Sequence, residues 1–374
     1  MDCRRKLDRR IYKKTILLKP VEYCNLACRY CYVNPDLPKR KMDFKVIKRL
    51  KDELDSLYEA GIGIVDLIWH GGEPTLYGLE NMKKAVEYLS KSKIRIRWKI
   101  QTNGTLINED WVKFFREYNF CVGVSIDGHK KLHDKNRIYF NGRGSFEEAY
   151  RGFKMLKEGN VRVGILSVAT KYTLNEVDKF YEFIRRQGVG VRVNPFFASG
   201  RGKDKEEELG LTNDEYAKLM IALYDKWKDD VVSFRLSPIE EIVESMITGR
   251  NPNCNYSFKG CNYDFISIDP KGDVYSCARL SGVKEAYLGN LEEGILYLYS
   301  KSLKRTKVDE ECLRCKWFRI CGGGCPAISF YYTGDFNKRE PSCEGRKKVF
   351  EYIYKDLKRR GVKNEKVYMS LLQK

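Results

Sequence analysis

Three thiols fall in one short stretch, Tyr23-Cys24-Asn25-Leu26-Ala27-Cys28-Arg29-Tyr30-Cys31-Tyr32, with no fourth cysteine beside it. Thiolates spaced C-x3-C-x2-C suit an iron–sulfur cluster with one iron left free of protein ligands, where a small molecule can bind. A zinc site or three unconnected thiols are the alternatives. Eight further cysteines lie C-terminally, Cys254, Cys261, Cys277, Cys312, Cys315, Cys321, Cys325 and Cys343. Eight thiolates fill two four-coordinate sites, as cubanes or as zinc centres, since C-x2-C pairs serve both. A third group, Gly71-Gly72-Glu73-Pro74, ends an apolar run. Glycines there let backbone approach a ligand closely, and the carboxylate can accept from an ammonium group, although such a turn is by itself an ordinary connection.

The C-x3-C-x2-C loop with an aromatic, Tyr30, just before its last cysteine resembles the signature of the radical S-adenosylmethionine (SAM) enzymes. The resemblance implies that Cys24, Cys28 and Cys31 hold a [4Fe-4S] cluster whose free iron chelates SAM, and that an electron from it cleaves SAM to a 5′-deoxyadenosyl radical. The Gly-Gly-Glu turn then corresponds to the family's motif for the methionyl amine, which assigns Gly71, Gly72, Glu73 and Pro74 to the SAM site. Ser125 and Asp127 would reach the ribose hydroxyls or the SAM carboxylate, and Arg137 would pair with that carboxylate in the bidentate manner arginine favours. Tyr30 would stack on or cover the adenine. Gln101, Thr102 and Asn103 are further polar candidates for substrate. For each of these, capping, turn or core packing is the rival role.

From Cys261 onward the cysteines follow C-x10-G-x4-C, gap, C-x2-C-x5-C-x3-C, gap, C, with Gly272 as the embedded glycine. This resembles the SPASM domain, the C-terminal extension of radical SAM enzymes that mature peptides and proteins. The resemblance places Cys254, Cys261, Cys277 and Cys325 on a nearer auxiliary cluster, and Cys312, Cys315, Cys321 and Cys343 on an outer one. Three [4Fe-4S] clusters and SAM are the implied cofactors, with a peptide or protein substrate and a ferredoxin- or flavodoxin-type reductant as partners. The whole chain is similar to the anaerobic sulfatase-maturating enzymes, which oxidise a Cys or Ser to formylglycine. Those enzymes carry an Asp directly after the third SPASM cysteine as a base, whereas Cys277 is followed here by Ala278-Arg279. No catalytic base is therefore assigned, and peptide modification by hydrogen abstraction, of the thioether or carbon–carbon crosslinking kind, is the expected reaction. Formylglycine formation, modification of a small molecule or tetrapyrrole, and a non-catalytic electron carrier are the alternatives. With 23 residues before Cys24, no leader-peptide-binding domain is expected there.

The elements that must position these groups alternate in type. Asp43 can cap a helix with apolar residues Phe44, Ile47, Leu50, Leu54 and Leu57, ended by Gly61. Strands are expected over 62–69, 94–101, 121–126, 161–168 and 189–193, and helices over 79–90, 109–118, 174–187 and, behind a Ser145-x-x-Glu148 capping box, from 145. With a strand before Cys24 this makes six βα units, two short of a closed barrel, whose functional loops belong at the C-terminal strand ends. The fold expected is α/β, a partial (β/α)6 barrel followed by a loop-rich α+β iron–sulfur domain. Its divisions are an N-terminal extension (1–23), the core (24–200), a helical bridge or linker (201–253) with a helix opened by Thr212-x-x-Glu215, the SPASM region (254–345) and a C-terminal helix (346–374). Within the SPASM region a hairpin is expected at 265–268 and 273–276.

Thirteen cysteines argue for metal or redox chemistry over disulfides, and three histidines are too few for an imidazole-based metal enzyme. The formal charge of +19 falls to about +14 once three clusters are bound. What remains is spread over helix faces, so no nucleic-acid groove is expected. No run reaches about 18 apolar residues and no signal peptide is visible, so neither a membrane span nor secretion is expected. A cytoplasmic monomer is the expectation. Cys3 and Cys121 are left over, Cys121 as a core residue.

Overall fold

A computed structural model describes residues 12–36, 38–230, 234–249, 264–301 and 308–362. Strand β1 (Tyr12–Val21) lies at the middle of the sheet, and each following strand is laid down parallel beside its predecessor: β2 (Ile62–Gly71), β3 (Arg95–Thr102), β4 (Cys121–Ser125), β5 (Arg162–Ala169) and β6 (Val191–Pro195). The helices between them are α1 (Phe44–Glu59), α2 (Leu79–Leu89), α3 (Glu109–Glu117), α4 (Phe146–Glu158) and α5 (Val177–Gln187). Helix α1 starts where Asp43 accepts from the Lys45 N–H at 2.8 Å. It then buries Val46, Ile47, Leu50, Leu54 and Leu57 in the same core as Ile16, Leu18, Leu67 and Trp69 of the first two strands. Each fully buried aliphatic side chain of this kind stabilises by roughly 1.5–3 kcal/mol.

The sheet does not stop at six strands. A short β7 (Leu236–Ser237) adds beyond β6, and on the other edge β8 (Phe265–Ile268) pairs parallel to β1, continuing antiparallel into β9 (Asp273–Tyr275) and β10 (Tyr287–Asn290). The order is β10-β9-β8-β1-β2-β3-β4-β5-β6-β7, an open mixed sheet as the six-unit reading requires. The C-terminal hairpin thus extends the core sheet instead of forming a separate one, and its second strand ends at Tyr275. Helices α6 (Asn213–Lys228) and α7 (Ile239–Thr248) follow the core, and α8 (Pro326–Thr333) and α9 (Cys343–Arg359) complete the C-terminal half.

Four local expectations change. The two capping boxes diverge: Thr212 and Glu215 make both reciprocal bonds at the start of α6, whereas Ser145 donates its hydroxyl to the Arg137 carbonyl at 2.8 Å and Glu148 accepts from Arg143. Better partners were in reach of Ser145, so its helix begins without that cap. The helix expected over 174–187 breaks at Glu176 into Lys171–Asn175 and α5. The final helix starts at Cys343, three residues earlier than expected. The stretch from Ser199, read as linker, is a turn (Gly200–Lys205) folded against the cysteine loop.

Candidate active site

Every strand of the parallel run delivers a loop to one end of the sheet, and the Cys24–Cys31 loop lies across it, held from two sides. On one side the Ala27 and Arg29 N–H groups donate to the Ile138 and Asn136 carbonyls at 2.7 and 2.9 Å. On the other, Gly202 N–H donates to the Cys31 carbonyl at 3.3 Å, and a Cβ placed on Gly200 would stand 2.3 Å from the Tyr32 carbonyl oxygen. Only glycine fits there, with φ +53°. Ser199–Gly202 is therefore part of the site, and its signal was the pair of glycines just past a strand end. Outside the turn, Arg29 and Tyr172 both reach Glu208, at 2.6 and 2.7 Å.

The three thiols are close enough to act on one another. Burial is the main cause raising the pKa of each, and the neighbouring thiolates add to it for Cys24 and Cys28, the latter pushed up to about 12. Buried thiols so placed give up their protons when a cation arrives to balance them. Donors are already in position: Leu26 N–H and Asn103 Nδ2 point at Cys24 Sγ from 3.3 and 3.7 Å.

The Gly71-Gly72-Glu73-Pro74 turn follows β2 as expected, but its glycines serve the chain's own packing. A Cβ on Gly71 would lie 2.5 Å from the Val21 carbonyl oxygen and one on Gly72 2.0 Å from that of Tyr23. The Gly72 and Glu73 N–H groups donate to those same carbonyls. Pro74 opens a short 3-10 turn. Glu73, expected as a free acceptor, is 1% exposed. Its Oε1 accepts from the Thr75 N–H and from the Thr75 and Thr102 hydroxyls, and its Oε2 from the Asn103 N–H at 2.7 Å. Burial raises the carboxyl pKa, and these four donors work against that. Glu73 thus binds the ends of β2 and β3 together.

Past β4 the polar groups likewise meet partners within the chain. Ser125 accepts from Gln101 Nε2 at 2.9 Å. Asp127 is buried, takes the Val168 N–H on Oδ1 at 2.9 Å and the Tyr30 hydroxyl on Oδ2, and forms an ion pair with Arg137, whose Nε stands 3.1 Å from Oδ2. Burial is the largest single influence on Arg137 and opposes its charge, but Asp127, Tyr30 and Cys28 together outweigh it and raise the pKa. The guanidinium also lies 5.3 Å from the centre of the Tyr30 ring. Tyr30 is buried and packs among Cys28, Phe196 and Leu209. Asp127, Arg137 and Tyr30 are thus one buried unit, in which Arg137 approaches Asp127 through Nε alone.

Beyond the loop, β1 carries a buried lysine that the sequence reading passed over. Lys19 Nζ donates to the Ala278 carbonyl at 3.1 Å. Burial lowers its pKa to about 8 against the pull of Cys277, Glu22 and Asp269. His70, at the end of β2, is pushed down to about 4 by burial and by Lys19, so it is neutral, and its ring centre lies 6.4 Å from that of Tyr32. Tyr32 in turn packs with Cys277, Cys325, Phe197 and Leu280 in a small apolar cluster, with Arg279 Nη1 3.7 Å from Cys325 Sγ. Cys254 and Cys261 lie outside the described residues.

The comparisons decide what this arrangement is. The Radical SAM superfamily profile matches residues 18–184. The cysteine-type anaerobic sulfatase-maturating enzyme of Clostridium novyi is 30% identical over 331 residues, 83% of this chain and 87% of that protein. The chain belongs to the radical SAM superfamily. A serine-type anaerobic sulfatase-maturating enzyme from Klebsiella aerogenes is 31% identical over 83% of this chain and 79% of its own length. Among solved structures, native anSMEcpe with bound AdoMet and Cp18Cys peptide superposes with a TM-score of 0.82 at 28% identity, covering 94% of this chain and all of that one. Streptococcus suis SuiB bound to precursor peptide SuiA shares the fold, with a TM-score of 0.64 at 20% identity.

A [4Fe-4S] cluster and SAM are the cofactors of this superfamily, and the donor set fits them: three thiols on one short loop held from both sides, at the strand ends. A second cavity among the C-terminal elements is lined by Cys312, Cys315, Cys321 and Cys343, together with Trp317, Phe350 and Arg346. Burial raises the Cys321 pKa and pushes that of Cys343 up to about 12. Among the described residues no three such groups stand close enough to clasp a single ion. No described helix is long and apolar enough to cross a membrane.

Proposed function

We propose that this radical SAM enzyme oxidises a Cys or Ser side chain of a peptide or protein, in the manner of the sulfatase-maturating relatives. The observation that carries the reading is their similarity along nearly the whole chain, in both the core and the cysteine-rich C-terminal half. When bound, the cluster and SAM supply a 5′-deoxyadenosyl radical. Cys24, Cys28 and Cys31 would hold that cluster. Cys277 and Cys325, in one apolar cluster, belong with Cys254 and Cys261 on the nearer auxiliary site, and the four thiols lining the second cavity form the outer one. Near SAM, the Gly71-Gly72 backbone, Ser125 and the Asp127–Arg137 pair shape the site, with Glu73 holding the turn in place.

A side chain oxidised in this way gives up a hydrogen atom, a proton and an electron, so the chain must receive the last two. Serine becomes the aldehyde directly, whereas cysteine becomes a thioaldehyde that water hydrolyses to the aldehyde with release of hydrogen sulfide. The auxiliary cysteine sets serve the electron. For the proton, Ala278 leaves no carboxylate directly after Cys277, and the ionisable groups around its carbonyl are Lys19 with Glu22 and Asp269. Asp269 Oδ1 is occupied by the Lys271 and Asp273 N–H groups. Glu22 Oε2 is buried with no hydrogen bond among the described residues and only Arg40 Nε at 3.7 Å. Glu22 is the group we assign as acceptor. Incubation of Cys- and Ser-bearing sulfatase-motif peptides with enzyme, SAM and reductant tests this, with an aldehyde product expected in mass spectra. The second reading, crosslinking, is favoured by Ala278 alone, and a product short of two hydrogens with no aldehyde would establish it in place of the first.

A further inference from the structure

The outer cysteine cavity has a second side. A surface groove runs along α9, lined by Lys316, Lys348, Glu351, Tyr352 and Lys355, and it shares Cys315, Trp317 and Lys347 with the cavity. A molecule seated in the groove therefore touches the wall that Cys315 shares with the other three thiols. The rim carries four lysines faced by three carboxylates, Glu344, Glu351 and Asp214, with Lys347 on Glu344 at 3.0 Å, which leaves one positive charge in excess. Its ion pairs are exposed ones: Lys316 and Lys355 reach Glu351 at 2.6 and 3.4 Å, and Lys348 pairs with Asp214. Pairs this exposed contribute little and exchange readily for a partner's carboxylates.

We infer that this groove is the docking site of an acidic one-electron carrier protein of the ferredoxin or flavodoxin class. The inference rests on the reading that Cys312, Cys315, Cys321 and Cys343 hold the outer auxiliary cluster. Docking there brings the carrier to Cys315, and the electron released when a peptide side chain is oxidised leaves through it. A cluster held by Cys312, Cys315, Cys321 and Cys343 would supply one electron to the oxidised carrier, which is reduced by one electron with no bond formed or broken. Lysines on the rim speed encounter with an acidic partner and set its orientation, the role complementary charge serves at such interfaces.

The test measures equilibrium binding of an oxidised, acidic 2[4Fe-4S] ferredoxin to the reconstituted protein, at low and high salt. Wild type should bind more weakly as salt rises, and K316E/K348E/K355E should bind at least about tenfold more weakly, while the K→R triple variant binds as wild type. These positions are 53%, 57% and 69% exposed, so the reversals leave the fold intact. SAM cleavage driven by dithionite should be unchanged in both. Undiminished ferredoxin binding by the charge-reversed protein overturns the inference. So does loss of binding to an acidic substrate peptide instead, which would make the groove a peptide site. Iron content and the cluster spectrum are read on the same samples. A protein with its outer cluster in place but indifferent to the lysines sinks only the docking site, whereas a C312A/C315A variant that loses no iron sinks the cluster reading beneath it.

Discussion

Lys19 Nζ donates to the carbonyl oxygen of Ala278 across 3.1 Å, which ties the central strand to the residue that follows Cys277. The bond spans the radical SAM core and the cysteine-rich half, and it places a buried amine where the sulfatase-maturating pattern has a carboxylate. Burial lowers the Lys19 pKa from 10.5 to about 8. Because the folded value lies below the unfolded one, the unfolded chain binds the extra proton between about pH 8 and 10.5. Stability from this group therefore rises with pH across that window, and its penalty is complete below about pH 8. A shift of this size corresponds to about 3 kcal/mol. Urea unfolding of the reduced apoprotein at pH 7.5 and 10 should show that rise, and Lys19→Met should lack it. Equal pH dependence in the two proteins would mean that Lys19 is hydrated in solution.

Glu73 gives a second, sharper test, because sequence and structure assign it differently. As a free ligand for the SAM amine, its loss would weaken SAM binding and leave the apoprotein untouched. As the acceptor of four donors from Thr75, Thr102 and Asn103, its removal leaves buried groups unsatisfied. Glu73→Ala should then destabilise the apoprotein by about 2–4 kcal/mol, with Glu73→Gln intermediate. Denaturant midpoints without SAM or iron decide between them.

The pattern behind that difference runs through the whole site. Periodicity and punctuation marked the strand ends and so the place where Cys24–Cys31, the Gly-Gly-Glu turn, Asp127 and Arg137 would gather. They could not say what each polar group would meet. Ser145 and Thr212 begin equally good capping boxes, but Ser145 folds within 2.8 Å of the Arg137 carbonyl and Thr212 meets no rival. Asp127 and Arg137 were read separately against SAM, and a contact between residues ten apart on a loop made them partners of each other. Lys19 was hidden for a related reason: a lysine in a strand usually faces water, but this one is buried with its amine on the Ala278 carbonyl, 259 residues further along the chain.

Buried charge makes the Asp127–Arg137 unit the most fragile part of the loop. Arg137→Ala leaves Asp127 with the Tyr30 hydroxyl and the Val168 N–H but without its countercharge. The expected cost is about 3–5 kcal/mol, together with a weaker hold on Cys28, which packs against Tyr30. Arg137→Lys should keep most of the stability. Thermal unfolding with iron analysis checks both, and a stable, fully loaded Arg137→Ala would show that the pair is dispensable.

Iron stoichiometry tests the ligand sets as groups. Anaerobic reconstitution should load about twelve irons per chain, and the Cys24/Cys28/Cys31 triple Ala variant should keep about eight. That variant should also fail to cleave SAM. Saturation of wild type near four irons would leave the C-terminal cysteines without clusters and remove the electron path from the proposed reaction.

The last prediction uses Ala278 to separate the two products. Ala278 is 5% exposed and its carbonyl already holds Lys19, so an aspartate introduced there would stand near a buried ammonium and remain ionised. A positioned base is worth roughly 10²–10⁴ in rate. If Glu22 now accepts the proton from a less direct position, wild type should form aldehyde slowly on a Cys-bearing sulfatase-motif peptide, Glu22→Gln should nearly abolish it, and Ala278→Asp should raise it by about 10² or more. Rates of 5′-deoxyadenosine formation should change far less, since that step precedes proton removal. An Ala278→Asp protein that consumes SAM as before and yields no aldehyde, while wild type removes two hydrogens from a Cys-bearing peptide, would establish crosslinking as the reaction and leave the carboxylate position without a role.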